Sequence, residues 1–268
     1  MWSKLKIIVF GAFLASVSLS AVKSHLDQKP VIVKKWDLPS VLKEVSGIDH
    51  ISGERFACIQ DEVGKIFIYN TATNKIEKEI YFTSPADYEG IALVNTTAYV
   101  LHSSGNIWEV KNYNSEKIDA VLHKTFLTSK QNVEGLCYDP GGNRLLLSVK
   151  RRDPFDKGIK GIYAFDLNTK KLNLTPVYKI DLNSGELKGQ KKFQPSDLAV
   201  HPVTGDIYVL DGEHPRLLIM NNKGTIKKIY PLEDPEFSLP EGICFTKSNK
   251  LFICNEGKRK AANILEIK

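Results

Sequence analysis

The chain has 268 residues, 42% of them hydrophobic and 25% charged, with a formal net charge of +6. That composition suits one large globular domain or two small ones and excludes a disordered or fibrous chain. The basic surplus falls to +4 without the first 21 residues, and no basic stripe carries interleaved aromatics, so nucleic acid is not an expected partner.

The N-terminus reads as a targeting segment. Lys4 and Lys6 precede an apolar run, Ile7 to Ala15, and then the small residues Ser16, Ser18, Ser20 and Ala21. This is the order of a secretory signal. The apolar run is short beside the roughly 20 residues that span a bilayer. Residues 1–21 are therefore expected to be a signal peptide, with an uncleaved N-terminal membrane anchor as the alternative. Either implies an exported protein, periplasmic or held at the cell membrane. No Cys stands near the cleavage region to carry a lipid anchor. Residues 22–30 read as a linker.

From residue 31 onward the sequence is β-rich and repetitive. Val31 to Leu38 alternates as a strand does. Five copies of one phrase follow: Ser46-Gly47-Ile48, Glu89-Gly90-Ile91, Glu134-Gly135-Leu136, Ser196-Asp197-Leu198 and Glu241-Gly242-Ile243. They begin 43, 45, 62 and 45 residues apart. A period in that range, in strands of β-branched and aromatic residues with regular turn signals, is the mark of propeller blades. Each copy opens a first strand. A turn rich in Gly, Asn, Pro and Ser leads to a second, and third strands begin at Ile66, Ile107, Ile162, Leu217 and Ile264. Fourth strands are expected at 76–82, 118–126, 172–182 and 225–232. The fifth repeat stops at Lys268 without a fourth strand, and the orphan N-terminal strand supplies one. The predicted fold is all-β: a monomeric five-bladed β-propeller over residues 31–268, its last blade closed by the N-terminal strand. Closure removes the sheet edges that an open array leaves exposed.

The cysteines occupy repeat-equivalent strand positions, Cys137 with Cys244 and Cys58 with Cys254, and so read as buried free thiols. The third repeat is the longest. Its excess lies in the loops 151–161 and 183–194, which are rich in Lys and Arg. Lys150, Arg151 and Arg152 are the candidate contacts for a small anionic ligand, against the plainer reading of a solvated surface loop.

In a propeller the loop into each first strand and the turn after each second strand share one mouth of the central channel. That gathers acidic side chains, with Glu89, Glu134, Asp197, Glu241 and Asp61 as the candidate metal ligands. Crowded carboxylates repel one another, and a bound cation relieves this. Oxygen ligands without a His/Cys cluster suit Ca²⁺. The other reading makes each Glu-Gly or Ser-Asp pair a blade-to-blade clip accepting backbone N–H groups. The two readings can hold for different copies. The six histidines form no cluster, and no nucleophile elbow, zinc motif or phosphate loop is present.

The order of Val45-Ser46-Gly47-Ile48, Gln60-Asp61-Glu62, Asp87-Tyr88-Glu89-Gly90-Ile91, Asn132-x-Glu134-Gly135-Leu136, Gln194-Pro195-Ser196-Asp197-Leu198 and Leu239-Pro240-Glu241-Gly242-Ile243 resembles the SdiA-regulated family of YjiK-type proteins. The resemblance runs from about Leu38 to the C-terminus. It implies a five-bladed propeller, distantly similar to NHL-repeat proteins, with a calcium site in the family. It also implies an exported or membrane-associated protein of unknown biochemical activity. The expected function is a calcium-binding module for a ligand or an envelope protein. The alternative is a calcium-dependent hydrolase, a phosphoesterase or lactonase, acting on an anionic small molecule.

Overall fold

The structure, a computed structural model, describes residues 29–183, 185–189 and 192–268. The signal segment and most of the linker lie outside the described residues. Five antiparallel sheets follow one another along the chain. Blade 1 is Val45–Ser52, Arg55–Gln60, Lys65–Asn70 and Lys75–Tyr81. Blade 2 is Tyr88–Val94, Thr97–His102, Ile107–Lys111 and Asp119–His123. Blade 4 is Pro195–Val200, Ile207–Asp211, Arg216–Met220 and Ile226–Pro231.

Blade 3 departs from the expected pattern in its outer strand. Its first three strands are Val133–Asp139, Arg144–Val149 and Ile159–Asp166. The fourth is broken into Lys171–Leu172 and Tyr178–Asp181, both paired with Ile159–Asp166. Pro176 falls in the break, and a proline has no N–H to give to a ladder. Asn173 N and Val177 N still donate to Ala164 O and Ile162 O on either side of it.

Blade 5 holds Pro240–Phe245, Leu251–Asn255 and Asn263–Ile267, and its outermost strand is Ile32–Asp37 from the other end of the chain. The pairing runs from Ile32 opposite Ile267 to Asp37 opposite Asn263. The innermost strands then stand side by side in a closed ring, each against the next and the fifth against the first.

The alternation of apolar residues buries both faces of each sheet, because every face meets another blade. Five apolar clusters result, one in each seam. Trp36, Phe56, Phe67 and Phe252 fill the seam between blades 5 and 1, and Leu210, Leu217, Ile253 and Leu265 the one between blades 4 and 5. The four cysteines are free and buried within these layers, as their repeat-equivalent positions suggested.

Candidate functional site

Every copy of the repeated phrase lies where its innermost strand slips register against the second strand. The slips fall between Val45 and Gly47, Tyr88 and Gly90, Val133 and Gly135, Pro195 and Leu198, and Pro240 and Gly242. A β-bulge leaves a residue unpaired and re-aims its side chain. The bulged residues are Ser46, Glu89, Glu134, Ser196 with Asp197, and Glu241. The glycine beside the bulge answers crowding around the axis. A Cβ on Gly90 would stand 2.8 Å from Leu136 Cβ, and one on Gly242 3.0 Å from Ile48 N, both atoms of the next blade.

The five copies divide into two kinds. Those carrying serine are clips. Ser46 Oγ donates to Tyr88 O at 2.7 Å and Ser196 Oγ to Pro240 O at 2.6 Å, each tying its blade to the next. Asp197 belongs with them. Its Oδ1 accepts from Leu136 N at 3.0 Å and its Oδ2 from Ile243 N at 2.8 Å, so one carboxyl in blade 4 links blades 3 and 5. Both oxygens are thereby committed to backbone, and the structure does not gather Asp197 with the glutamates. Asp49 does the same between blades 1 and 2, accepting from His50 N and Leu93 N at 2.7 Å each. Sequence reasoning missed Asp49, whose position has no acidic counterpart in the other repeats.

The copies carrying glutamate converge. Burial, followed by the neighbouring charges of Glu134, Asp87 and Glu241, pushes the Glu89 carboxyl up to about 10. Burial pushes Glu241 up to about 8, with Glu134 the next cause. Glu134, most of all through burial, stands at about 7 although an ammonium opposes the rise. That ammonium is Lys150, whose Nζ lies 2.5 Å from Glu134 Oε2. Its charge acts on Glu241 and Glu89 as well. Asn132, held in the left-handed region at φ 47° where asparagine is tolerated, donates Nδ2 to Glu134 Oε1 at 2.5 Å. No hydrogen bond reaches the Glu89 or Glu241 carboxyl from the described residues.

Lys150 is half-buried and paired with Glu134, whereas Arg151 and Arg152 are exposed beside it. A signal for this was present. Val133 pairs with Val149 as Val45 pairs with Gln60 and Pro240 with Asn255. Lys150 thus occupies, in blade 3, the place of Asp61 in blade 1 and Glu256 in blade 5. Asp61 belongs to a second acidic arc at the same mouth. Burial first, then Glu44, Glu256, Glu62 and Asp87, push it up to about 6.

Buried polar atoms that lack a hydrogen bond among the described residues also gather on this face. Asp61 Oδ1, Ser104 Oγ, Ser148 Oγ, His214 Nδ1 and Asn255 Oδ1 lie near the end of a second strand, one in each blade, and His214 Nδ1 stands 3.9 Å from Asp211 Oδ2. The opposite end of the channel is different in kind. It opens into a cavity of about 210 Å³ lined by Ile48, Ile91, Leu136, Ala199 and Ile243 with Asp49 among them. His201 lies at that end as a turn residue, its Nδ1 accepting from Val203 N and Thr204 N.

Calcium takes six to eight oxygens in a loose cage. Here Glu134 is committed to Asn132 and Lys150, and Asp197 to backbone amides. Among the described residues no group of three or more His, Cys, Asp or Glu side chains stands so as to hold a metal ion. As they stand, these residues do not fit a calcium cage.

No family model matches the chain, and no curated protein matches it. Solved structures do. The glutaminyl cyclase of Myxococcus xanthus superposes with a TM-score of 0.62 at 14% identity, over 89% of this chain and 95% of that one. The PQQ-bound aldose sugar dehydrogenase of Streptomyces coelicolor gives 0.56 at 12% identity, over 90% and 98%. A streptogramin B lyase gives 0.50 at 13% identity, over 90% and 98%. At such identities the likeness carries the fold, a β-propeller, and nothing finer.

Proposed function

We propose that the protein is a binding module of the cell envelope whose ligand docks at the channel mouth formed by the five repeated phrases. The ligand is a small organic molecule that offers a positive group to Glu89 and Glu241 and a negative group to Arg151 and Arg152. One observation carries this reading: buried glutamates from blades 2, 3 and 5 act on one another across a mouth where Lys150 pairs with one of them, beside a basic blade 3 rim. The envelope location rests on the order of residues in the N-terminal segment, as does the family resemblance on the repeated phrases. A thermal-shift screen of amines, amino acids and small carboxylates and phosphates tests the site. Stabilising compounds should lose their effect in Glu241→Gln and Glu89→Gln. Compounds that stabilise these variants as well as the parent would remove the site from the reading.

A second reading, catalysis, has a specific observation behind it. Glu134 near 7 and Glu89 near 10 are a base and an acid held apart by their surroundings, the pattern of acid–base pairs in active sites. Propellers named as a cyclase and a lyase are among the similar structures, so the frame admits chemistry. Turnover of any screened compound that Glu134→Gln abolishes, with binding retained, would favour this reading.

A further inference from the structure

We propose that Lys150 is the resident cation of the glutamate ring and that it closes the site to divalent metal ions. The inference rests on the mouth being the ligand site, and it narrows the ligand to an organic cation able to share the ring with an ammonium. Four observations support it. The Lys150 Nζ lies 2.5 Å from Glu134 Oε2, with the lysine side chain only 16% exposed. The same charge acts on Glu241 and Glu89, with Lys258 also acting on Glu241 and Arg151 on Glu134. Glu241 is 8% exposed and receives no hydrogen bond from the described residues, and the charges of Glu134 and Lys150 act on its carboxyl.

The fourth observation is how Lys150 is held. Its N–H donates to Asn132 O and that of Arg151 to Gln131 O, each at 2.9 Å. On the other side Lys160, itself 6% exposed, donates its ammonium to the carbonyls of both Lys150 and Arg151. The segment at 131–132 that receives Lys150 also supplies the Asn132 side chain to Glu134. Lysine, carboxylate and backbone therefore form one fixed unit. A divalent ion among Glu89, Glu134 and Glu241 would sit against an ammonium paired with Glu134 on a backbone held from both sides. Like charges at such separations disfavour one another strongly in a partly desolvated site. Substituting Lys150 removes that ammonium and leaves the three carboxyls balanced only by protons, which a divalent ion can displace. Lys160 is the positioning residue in this arrangement, and it acts only through the backbone.

The test uses the chelator-stripped full chain and Ca²⁺ alone as probe, read by calorimetric titration and by melting temperature. Wild type and Lys150→Arg should give no binding heat and no shift in millimolar Ca²⁺. Lys150→Gln should bind Ca²⁺ at least about tenfold more tightly than wild type, with a matching rise in melting temperature. Adding Glu241→Gln to that variant should remove the gain. Lys150→Met serves in its place if Lys150→Gln does not fold. Ca²⁺ binding by wild type that Glu241→Gln abolishes would overturn the proposal without any lysine variant. A folded Lys150→Gln or Lys150→Met without a gain in Ca²⁺ affinity would overturn it too. Failure of the organic-ligand screen leaves these outcomes unchanged, so the two readings fail separately.

Discussion

Asp197 and Glu134 stand at corresponding bulges and do opposite things. The difference lies in what their oxygens meet. Asp197, one methylene shorter and displaced one residue along the bulge, meets the amides of Leu136 and Ile243. Glu134 reaches past the backbone to a side-chain amide and an ammonium. Replacing Asp197 with Ala should orphan two buried amides at about 1–3 kcal/mol each, because a buried donor left without a partner loses its full solvation. Urea unfolding monitored by tryptophan fluorescence reads this as a lower midpoint with an unchanged slope. A loss within about 0.5 kcal/mol, the range of neutral surface changes, would show that water replaces the carboxyl. The same substitution should leave the ligand screen unaffected, since Asp197 lies outside the glutamate ring.

At the scale of the element, the strand Ile32–Asp37 decides whether the ring closes. It contributes one large buried side chain, Trp36, whose ring lies 6.1 Å from that of Phe252 in the seam between blades 5 and 1. Its remaining residues are mostly exposed, so the strand is held by its ladder and by Trp36, with smaller help from Ile32 against the next seam and the Lys35–Glu236 ion pair. Trp36→Ala should cost about 3–5 kcal/mol, the usual range for truncating a large aromatic in a core. Hydrogen exchange should show where the loss goes: the amides of Asn263–Ile267 should lose protection before those of blades 2 and 3. Uniform loss across all blades would mean that the ring opens as one unit. This closure was legible in the sequence, because a missing fourth strand at one end matched a spare strand at the other. The break in the outer strand of blade 3 was less so. Hydrophobic alternation continues across Pro176, but the strand loops out there: it advances six residues from Leu172 to Tyr178 while its partner moves three, from Phe165 back to Ile162, and Leu174 stands exposed.

For the whole molecule, repeat arithmetic fixed which face each residue occupies but not the partners it meets there. The convergence of Glu89, Glu134 and Glu241 followed from spacing. The division of the five phrases into serine clips and glutamate arms needed coordinates, since a bulge turns each side chain by an amount that composition does not encode. The pairing of Lys150 with Glu134 was not legible either, because Lys150 was read with the loop after it rather than with its counterparts Asp61 and Glu256. These placements have a collective consequence in pH. Glu89, Glu241 and Glu134 are raised above the ordinary value of 4.5 to about 10, 8 and 7, with burial the largest cause in each. The folded state therefore keeps protons that the unfolded chain has released. Their contribution to stability is full below the unfolded value and drains away as pH climbs through the folded ones. Asp61, near 6, and Asp49, near 7, act in the same direction. Glu109 opposes them but lies elsewhere on the scale. Bonds from Lys170, His123 and Tyr99 overcome its burial and hold it near 2, so its contribution is present above the unfolded value and is lost only in strong acid. The melting temperature should accordingly fall between about pH 5 and pH 9. Calorimetry of the double variant Glu89→Gln/Glu241→Gln over the same range should show a flatter profile, with the variant gaining on wild type as pH rises. Parallel profiles would mean that the ring stays ionised and balanced by something other than protons and Lys150.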